Sequence, residues 1–306
     1  MHDNLSGWSR SKFYKSKIYT PINLEELINL SKKLNIIARG FGRSYGASSI
    51  QPKGTILTRK LNKILNFDSK KGIIEAQAGI SIKEILNFSL KKKWTLPTIP
   101  GSKFISLGGM IATDVHGKNH HVEGSFRNHI VQLKIIIKNK VYTCSKKKNK
   151  NLFNYSIGGM GLTGIIYSCK FKLKKIKSNR IIQETIKCNN LKETLQMINK
   201  SENWNYNVAW LDTSANMNFL GRSVLFRGNH EKSGQKILNT DFLNKKKPKI
   251  SFEFPSWFIN RFSIKCLNEI YFYFKKNKKE ALDIDNFFFQ LDKLHSWNFL
   301  YGKEGF

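Results

Sequence analysis

The chain has 306 residues, 40% hydrophobic and 12% aromatic, enough to bury a core in more than one domain. Its 53 Lys and Arg against 21 Asp and Glu give a formal charge of +32, which suits a polyanion such as nucleic acid or an anionic membrane, yet the excess is spread along the chain beside abundant Asn and Ile, as AT-rich coding produces, and no RNP motif, zinc-finger spacing or Arg-rich helix accompanies it. The polar, basic opening to Tyr19 lacks a leader's apolar core, no stretch is long and apolar enough to span a bilayer, and Cys144, Cys169, Cys188 and Cys266 form no C-x-x-C pair, so a cytoplasmic, reducing compartment is expected, with no zinc knuckle or redox dithiol.

In chain order, Leu24 to Leu34 has helical periodicity, with Asn23 as cap and Glu26 placed for a capping box. Ile36 to Ala38 is a short strand. Ile56-Leu57, Ile64 to Phe67 and Ile73 to Ala76 are further strands. A second helix runs from Ser81 to Lys91, capped by Ser81 with Glu84 three residues on. Leu96 to Gly109 carries prolines and glycines and forms a shaped loop, followed by a short apolar helix at Met110 to Thr113. Ile130 to Ile137 and Val141 to Cys144 form a hairpin about Lys138-Asn139-Lys140, and Ile165 to Leu173 is a long strand. Past Lys175 the pattern restarts with a strand (Ile181 to Ile186), a helix (Leu191 to Asn199) and strands at Val208 to Leu211 and Ser223 to Phe226. The order is α+β rather than strict βαβ alternation.

Three glycine loops carry the chemistry. In Arg39-Gly40-Phe41-Gly42-Arg43-Ser44-Tyr45-Gly46, glycines permit close backbone approach, successive N–H groups can form an anion nest, and Arg39, Arg43 and Ser44 add charge and a hydroxyl, a combination suited to a diphosphate. The second loop, Pro100-Gly101-Ser102 to Ser106-Leu107-Gly108-Gly109, enters a helix N-terminus that favours an anion or a polar ring edge. The third, Gly158 to Gly164, matches G-x-G-x-x-G formally, but β-branched Ile165-Ile166 follows it, so it is a turn feeding a strand rather than a dinucleotide fingerprint. His116, His120 and His121 lack the company of a metal site, and His116 is better placed as a catalytic or cofactor-contacting residue.

These loops, in this order, resemble the vanillyl-alcohol-oxidase flavoprotein superfamily with its PCMH-type FAD domain, and within it the decaprenylphosphoryl-β-D-ribose oxidase branch. The resemblance runs from about Tyr14 to the end and is carried by Ala38 to Gly46, Ala78 to Ser81, Pro100 to His121, Gly124 to Phe126 and Gly158 to Gly164. It implies a two-lobed PCMH-type FAD-binding domain at residues 1–175 (lobes about 14–68 and 69–175) and an α+β substrate domain at 176–306 whose last segment is missing, since relatives extend past the position of Phe306. It implies that Arg39, Gly40, Phe41, Gly42, Arg43, Ser44, Tyr45 and Gly46 cradle the FAD pyrophosphate. Gly101, Ser102, Ser106, Leu107, Gly108 and Gly109, with Thr113, Asp114, Val115 and His116, would line the flavin, and Ile165 would meet it through its backbone. Arg43 stands where some relatives carry a flavin-linked His, so the FAD is expected to be non-covalent. Tyr45, His116 and Lys118 are the expected catalytic residues, Lys118 also for a substrate phosphate, and Trp210 would wall the substrate pocket.

The activity implied is oxidation of a sugar's secondary alcohol, the ribose C2 hydroxyl of a polyprenyl-phospho-ribose, with an NAD(P)-dependent partner reductase completing an epimerisation in cell-envelope biosynthesis. An oxygen-using alditol or aldonolactone oxidase (a D-arabinono-1,4-lactone oxidase-like enzyme) and, from another class, a basic nucleic-acid binder are the alternatives. Pro255 to Phe274 places Phe258, Phe262, Leu267, Ile270, Tyr271 and Phe274 near one helical face between Lys245-Lys246-Lys247 and Lys275-Lys276. That pattern fits a core helix of the second domain or an interfacial helix at the inner face of a membrane.

Overall fold

The structure is a computed structural model that describes residues 2–33, 35–232 and 239–302. The expectations for Leu34 and for the last four residues lie outside the described residues. The chain forms three principal sheets. The first has the order His2–Ser6, Phe13–Tyr19, Thr55–Leu57, Ile37–Arg39. Its first pair is antiparallel and the others parallel, so the Ile37–Arg39 strand delivers the first glycine loop at its carboxyl end. The two opening strands were not foreseen. Their alternation is weak, and Phe13–Tyr19 gains its place by pairing with Thr55–Leu57 while Ser16 and Thr55 share a buried 2.8 Å hydroxyl contact.

The second sheet is antiparallel, ordered Ile64–Asp68, Ile73–Gln77, Ile165–Lys172, Ile130–Ile137, Lys140–Cys144. The expected hairpin closes on Lys138 and Asn139, both at positive φ (43° and 66°), the left-handed pair that a two-residue turn requires. Helix Ile82–Ser89 packs Ile82, Ile85 and Leu86 inward and is held by the expected capping box between Ser81 and Glu84. At helix Leu24–Leu30, Asn23 caps the Glu26 N–H, but the Glu26 carboxylate reaches back to the Ile22 N–H (3.0 Å), so the reciprocal box does not form.

The chain leaves this sheet after Lys172 and enters the third at Arg180. That sheet is also antiparallel, ordered Tyr206–Leu211, Ser223–His230, Arg180–Cys188, Lys278–Asp283. The edge strand Lys278–Asp283 has no strand-like composition and exists because Arg180–Cys188 offers it a partner. One hydrophobic cluster joins the second and third sheets, from Ile74, Leu107 and Phe126 to Tyr206, Ile284 and Phe287. A buried ion pair reinforces this seam: Lys103, 2% exposed, meets Asp285, 3% exposed, and also donates to the Leu243 carbonyl. Asp292 accepts from Ser102 Oγ (2.8 Å) and the Lys103 N–H (2.7 Å).

Helix Arg261–Phe274 corrects the reading of that segment. It contains no buried residue, so it is not a core helix here. Its apolar residues also divide between two faces. Tyr271 packs at a tilt against Trp210, with ring centroids 4.6 Å apart, while Phe262, Ile270, Tyr273 and Phe274 are exposed. No helix among the described residues is long and apolar enough to cross a membrane.

Candidate active site

A cavity of about 400 Å³ opens between the first and second sheets, lined by all three glycine loops. The first loop contributes Gly40 to Gly46. Its conformation depends on glycine at two points. Gly42 has φ +66° and lies over the Arg39 guanidinium, and a Cβ on Gly40 would sit 2.0 Å from Ser106 Oγ. The close approach of Gly40 brings the first loop against the second. Among the described residues, the N–H groups of Phe41, Gly42, Arg43 and Ser44 donate to no protein acceptor. These donors line a cavity and need an acceptor there.

The two arginines of this loop have different tasks. Arg43 lines the cavity, its guanidinium 3.8 Å from the Trp8 ring centroid and 5.4 Å from that of Phe104. Burial lowers its pKa, opposed by the Asp292 carboxylate, and its Nε is buried without a partner among the described residues. Arg39 turns away from the lining to bond Ser49 Oγ (3.0 Å) and the Ser6 carbonyl (2.8 Å). It braces the loop from beneath, against the expectation that it adds charge to the cradle.

The second loop also departs from expectation. Helix Leu107–Ala112 is capped by Ser106 Oγ, which accepts from the Gly109 N–H at 3.2 Å. The Leu107 and Gly108 N–H groups donate to Ile80 and Ala78 carbonyls at 2.8 and 2.7 Å. With its first-turn donors taken, this helix end holds no anion. It presents Gly108, Gly109 and Ala112 as a wall of small residues, the shape that admits a planar ring. The third loop is tied to the same helix through Met160 N–H to Ala112 O (2.9 Å) and Gly158 N–H to Ile111 O (3.0 Å).

Of the expected cofactor residues, Gly40 to Gly46, Ser106, Gly108, Gly109, Thr113 and Val115 line the cavity. The others lie elsewhere. Ser102 is tied to Asp292, Leu107 is fully buried in the core, and Gly101 stands on the Pro100–Ser102 turn outside the lining. Asp114 holds Arg127 through its N–H and guanidinium at 3.0 and 3.1 Å. Ile165 is buried with Leu27, Ile56, Leu61 and Ile136, and its neighbours Gly164 and Ile166 line the cavity instead. Ser48, Thr58, Ala78, Met160 and Gly161 line it too and were not singled out as site residues. Ala78 stood within the Ala78 to Ser81 motif, and Gly161 within the third loop, so the sequence offered a signal for both.

Of the expected catalytic residues, Tyr45 lines the cavity with an exposed side chain. His116 lies outside the lining, its backbone bridged to Ser125 and its ring 5.3 Å from that of His120. Lys118 is partly buried away from the cavity, bonded to the Phe287 carbonyl with its ammonium 4.8 Å from the Phe287 ring centroid. Burial, and secondarily the Lys293 charge, bring its pKa down to about 8. The Lys118 carbonyl accepts from the Asn207 N–H at 2.7 Å, which fixes this segment to the Tyr206–Leu211 strand that carries Trp210.

Residues 20–144 match the FAD binding domain family. The decaprenylphosphoryl-β-D-ribose oxidase of Mycolicibacterium smegmatis is 27% identical over 321 aligned residues, which cover 99% of this chain and 69% of that protein. The mitochondrial L-galactono-1,4-lactone dehydrogenase of Arabidopsis thaliana is 23% identical over 68% of this chain and 34% of its own length. Among solved structures, an alkyldihydroxyacetonephosphate synthase superposes with a TM-score of 0.61 at 19% identity, covering 76% of this chain and 49% of that one. The chain thus spans between a third and about two thirds of the length of these proteins. The cavity suits FAD on its own terms. Unpaired N–H groups and Arg43 offer donors for a pyrophosphate, while Gly108, Gly109 and Ala112 leave a flat wall for a ring. Residues 20–144 are an FAD-binding domain of the PCMH type, and the chain is a flavoprotein of the FAD-dependent oxidoreductase class.

Proposed function

We propose that this protein oxidises a secondary alcohol of a sugar, and that its substrate is a polyprenyl-phospho-ribose oxidised at the ribose C2 hydroxyl. The N–H groups of Phe41 to Ser44 and the Arg43 guanidinium would hold FAD, which when bound would supply hydride-accepting chemistry. The chain's own part is to hold the sugar and accept the hydroxyl proton. The observation that carries this reading is Lys118. It stands three residues past the cavity-lining Val115, it is partly buried, and its pKa of about 8 leaves an appreciable neutral fraction near physiological pH. Released from the Phe287 carbonyl and turned to the sugar hydroxyl, the neutral amine would take the proton as the hydride departs, leaving a ketone and an ammonium. The resemblance over nearly the whole chain to an oxidase of a lipid-linked ribose supports the substrate. The lactone dehydrogenase relative favours a second reading, oxidation of a soluble aldonolactone or alditol.

Anaerobic mixing with a short-chain polyprenyl-phospho-ribose separates the two. Bleaching of the flavin band by the lipid-linked sugar, and its loss in Lys118→Ala with FAD retained, is expected. Bleaching by galactonolactone or xylitol alone would establish the second reading.

A lipid-linked substrate also gives purpose to the exposed face of helix Arg261–Phe274. Phe262 is 78% and Tyr273 77% exposed, and Trp257, just before the helix, is exposed as well. This face would rest on an anionic bilayer. Equal sedimentation with neutral and phosphatidylglycerol-containing liposomes would sink that assignment.

A further inference from the structure

A second cavity, of about 360 Å³, opens on the third sheet between the C-terminal end of helix Arg261–Phe274 and the edge strand Lys278–Asp283. Three lysines line it, Lys275, Lys278 and Lys293, against one carboxylate, Glu280, which pairs with Lys278 at 2.8 Å. The Lys275 ammonium is held 4.9 and 5.7 Å from the Tyr271 and Phe226 ring centroids. Burial and the charges of Lys278 and Lys293 lower its pKa, so the lysines oppose one another where they converge. An anion between them removes that repulsion.

The floor of the cavity carries a second kind of signal. Gln183 is 3% exposed and lines the cavity. Its Nε2 donates to Thr185 Oγ1 (3.1 Å) and to Glu280 (3.4 Å), but its Oε1 is buried with no hydrogen-bond partner among the described residues. A buried acceptor left unmade is unfavourable, and its natural partner is a neutral O–H donor rather than an anion. A ligand that satisfies both signals carries a negative group for the lysines and a hydroxyl for Gln183.

We propose that this cavity binds a phosphorylated sugar, with its phosphoryl oxygens on Lys275, Lys278 and Lys293 and a sugar hydroxyl donating to Gln183 Oε1. The assignment rests on the sugar-oxidation reading for its ligand class. The short helix Ile284–Phe288 connects the two places. Its Phe287 carbonyl receives Lys118, and its Asn286 lines the cavity. Lys293, on the cavity rim, is the charge that acts on Lys118.

The test is calorimetric titration of the FAD-loaded protein with D-ribose 5-phosphate, a decyl phosphodiester of ribose, D-ribose and inorganic phosphate. Both phosphorylated riboses are expected to bind, and Lys275→Ala/Lys293→Ala to weaken them about tenfold or more without altering the flavin spectrum. Gln183→Met is expected to weaken the sugar phosphates but not inorganic phosphate. Tighter binding of the diester than of ribose 5-phosphate would assign the site to a lipid-linked ligand, and the reverse order to a free sugar phosphate. Wild-type affinity in the double-lysine variant, with FAD retained, would overturn the proposal, as would equal affinity for phosphate and ribose 5-phosphate. Binding is read without turnover, so sugar phosphates that bind here but never bleach the flavin would sink the oxidation reading and leave this site standing.

Discussion

Replacing Lys118 with methionine removes a partly buried ammonium whose pKa has fallen from 10.5 to about 8, chiefly through loss of solvent. That difference corresponds to about 3 kcal/mol between the charged and neutral forms of the folded protein. The folded pKa is the lower one, so between pH 8 and 10.5 the unfolded chain holds a proton that the folded chain has released. Stability therefore rises with pH across that window, and below pH 8 the folded protein carries the full burden of the buried charge. Lys118→Met lacks this dependence but also loses the bond to the Phe287 carbonyl, which offsets part of the gain. Urea unfolding of both proteins from pH 7 to 11 is the assay, since all other titrations are shared. The stability advantage of the variant at pH 7.5 should shrink by about 3 kcal/mol by pH 11. A difference between the proteins that stays constant over this range would refute the burial argument. The same variant should keep FAD and lose flavin reduction, and wild-type reduction should accelerate with pH through about 8, where Lys118 becomes neutral.

The remaining predictions address the cradle, the seam and a second buried base. Gly40→Ala puts a methyl group 2.0 Å from Ser106 Oγ and should abolish FAD retention, while Gly40→Ala/Ser106→Gly should recover it because glycine is tolerated as a helix cap; equal retention in wild type and the single variant, read by absorbance after gel filtration, would exclude this contact as the determinant. Asp285→Asn strips Lys103 of its buried partner and should cost about 3–5 kcal/mol in denaturant unfolding, much of which Lys103→Met/Asp285→Leu should restore; a loss below about 1 kcal/mol would show the seam is not held this way. Burial brings the His230 pKa down to about 4, where its ring lies 3.0 Å from the Tyr206 hydroxyl and 3.2 Å from the Ser178 carbonyl. From pH 6.5 down to 4 only the unfolded chain gains that proton, so stability should fall by about 3 kcal/mol, and His230→Gln should not show this component of the acid slope.

Much of the cradle was legible in the sequence because glycine, arginine and serine have few reasons to gather except close backbone approach and anion binding. The helix caps at Asn23 and Ser81 were legible for a similar reason, since capping is decided within four residues. What escaped depends on partners distant in sequence. The strand at Lys278–Asp283 exists through pairing with residues about a hundred positions earlier, and Phe13–Tyr19 through Thr55–Leu57. Arg39 and Arg43 are four residues apart in one motif, yet one braces the loop and the other faces the cavity, a distinction set by where Ser6, Ser49, Trp8 and Phe104 lie. The Gly108-Gly109 helix start reads as an anion site until Ile80 and Ala78 carbonyls are seen to occupy its donors. The second cavity was invisible because its lysines are indistinguishable, in sequence, from the many others.

The cavity between the first two sheets is the expected seat of FAD held without a covalent bond, its lining among the described residues including neither His nor Cys. The most direct measurement is the visible spectrum of the purified protein before and after acid precipitation. A flavin spectrum that passes entirely into the supernatant is the predicted result. Flavin retained in the pellet would contradict the non-covalent cradle, and a colourless protein that takes up no added FAD would contradict the cavity's assignment itself.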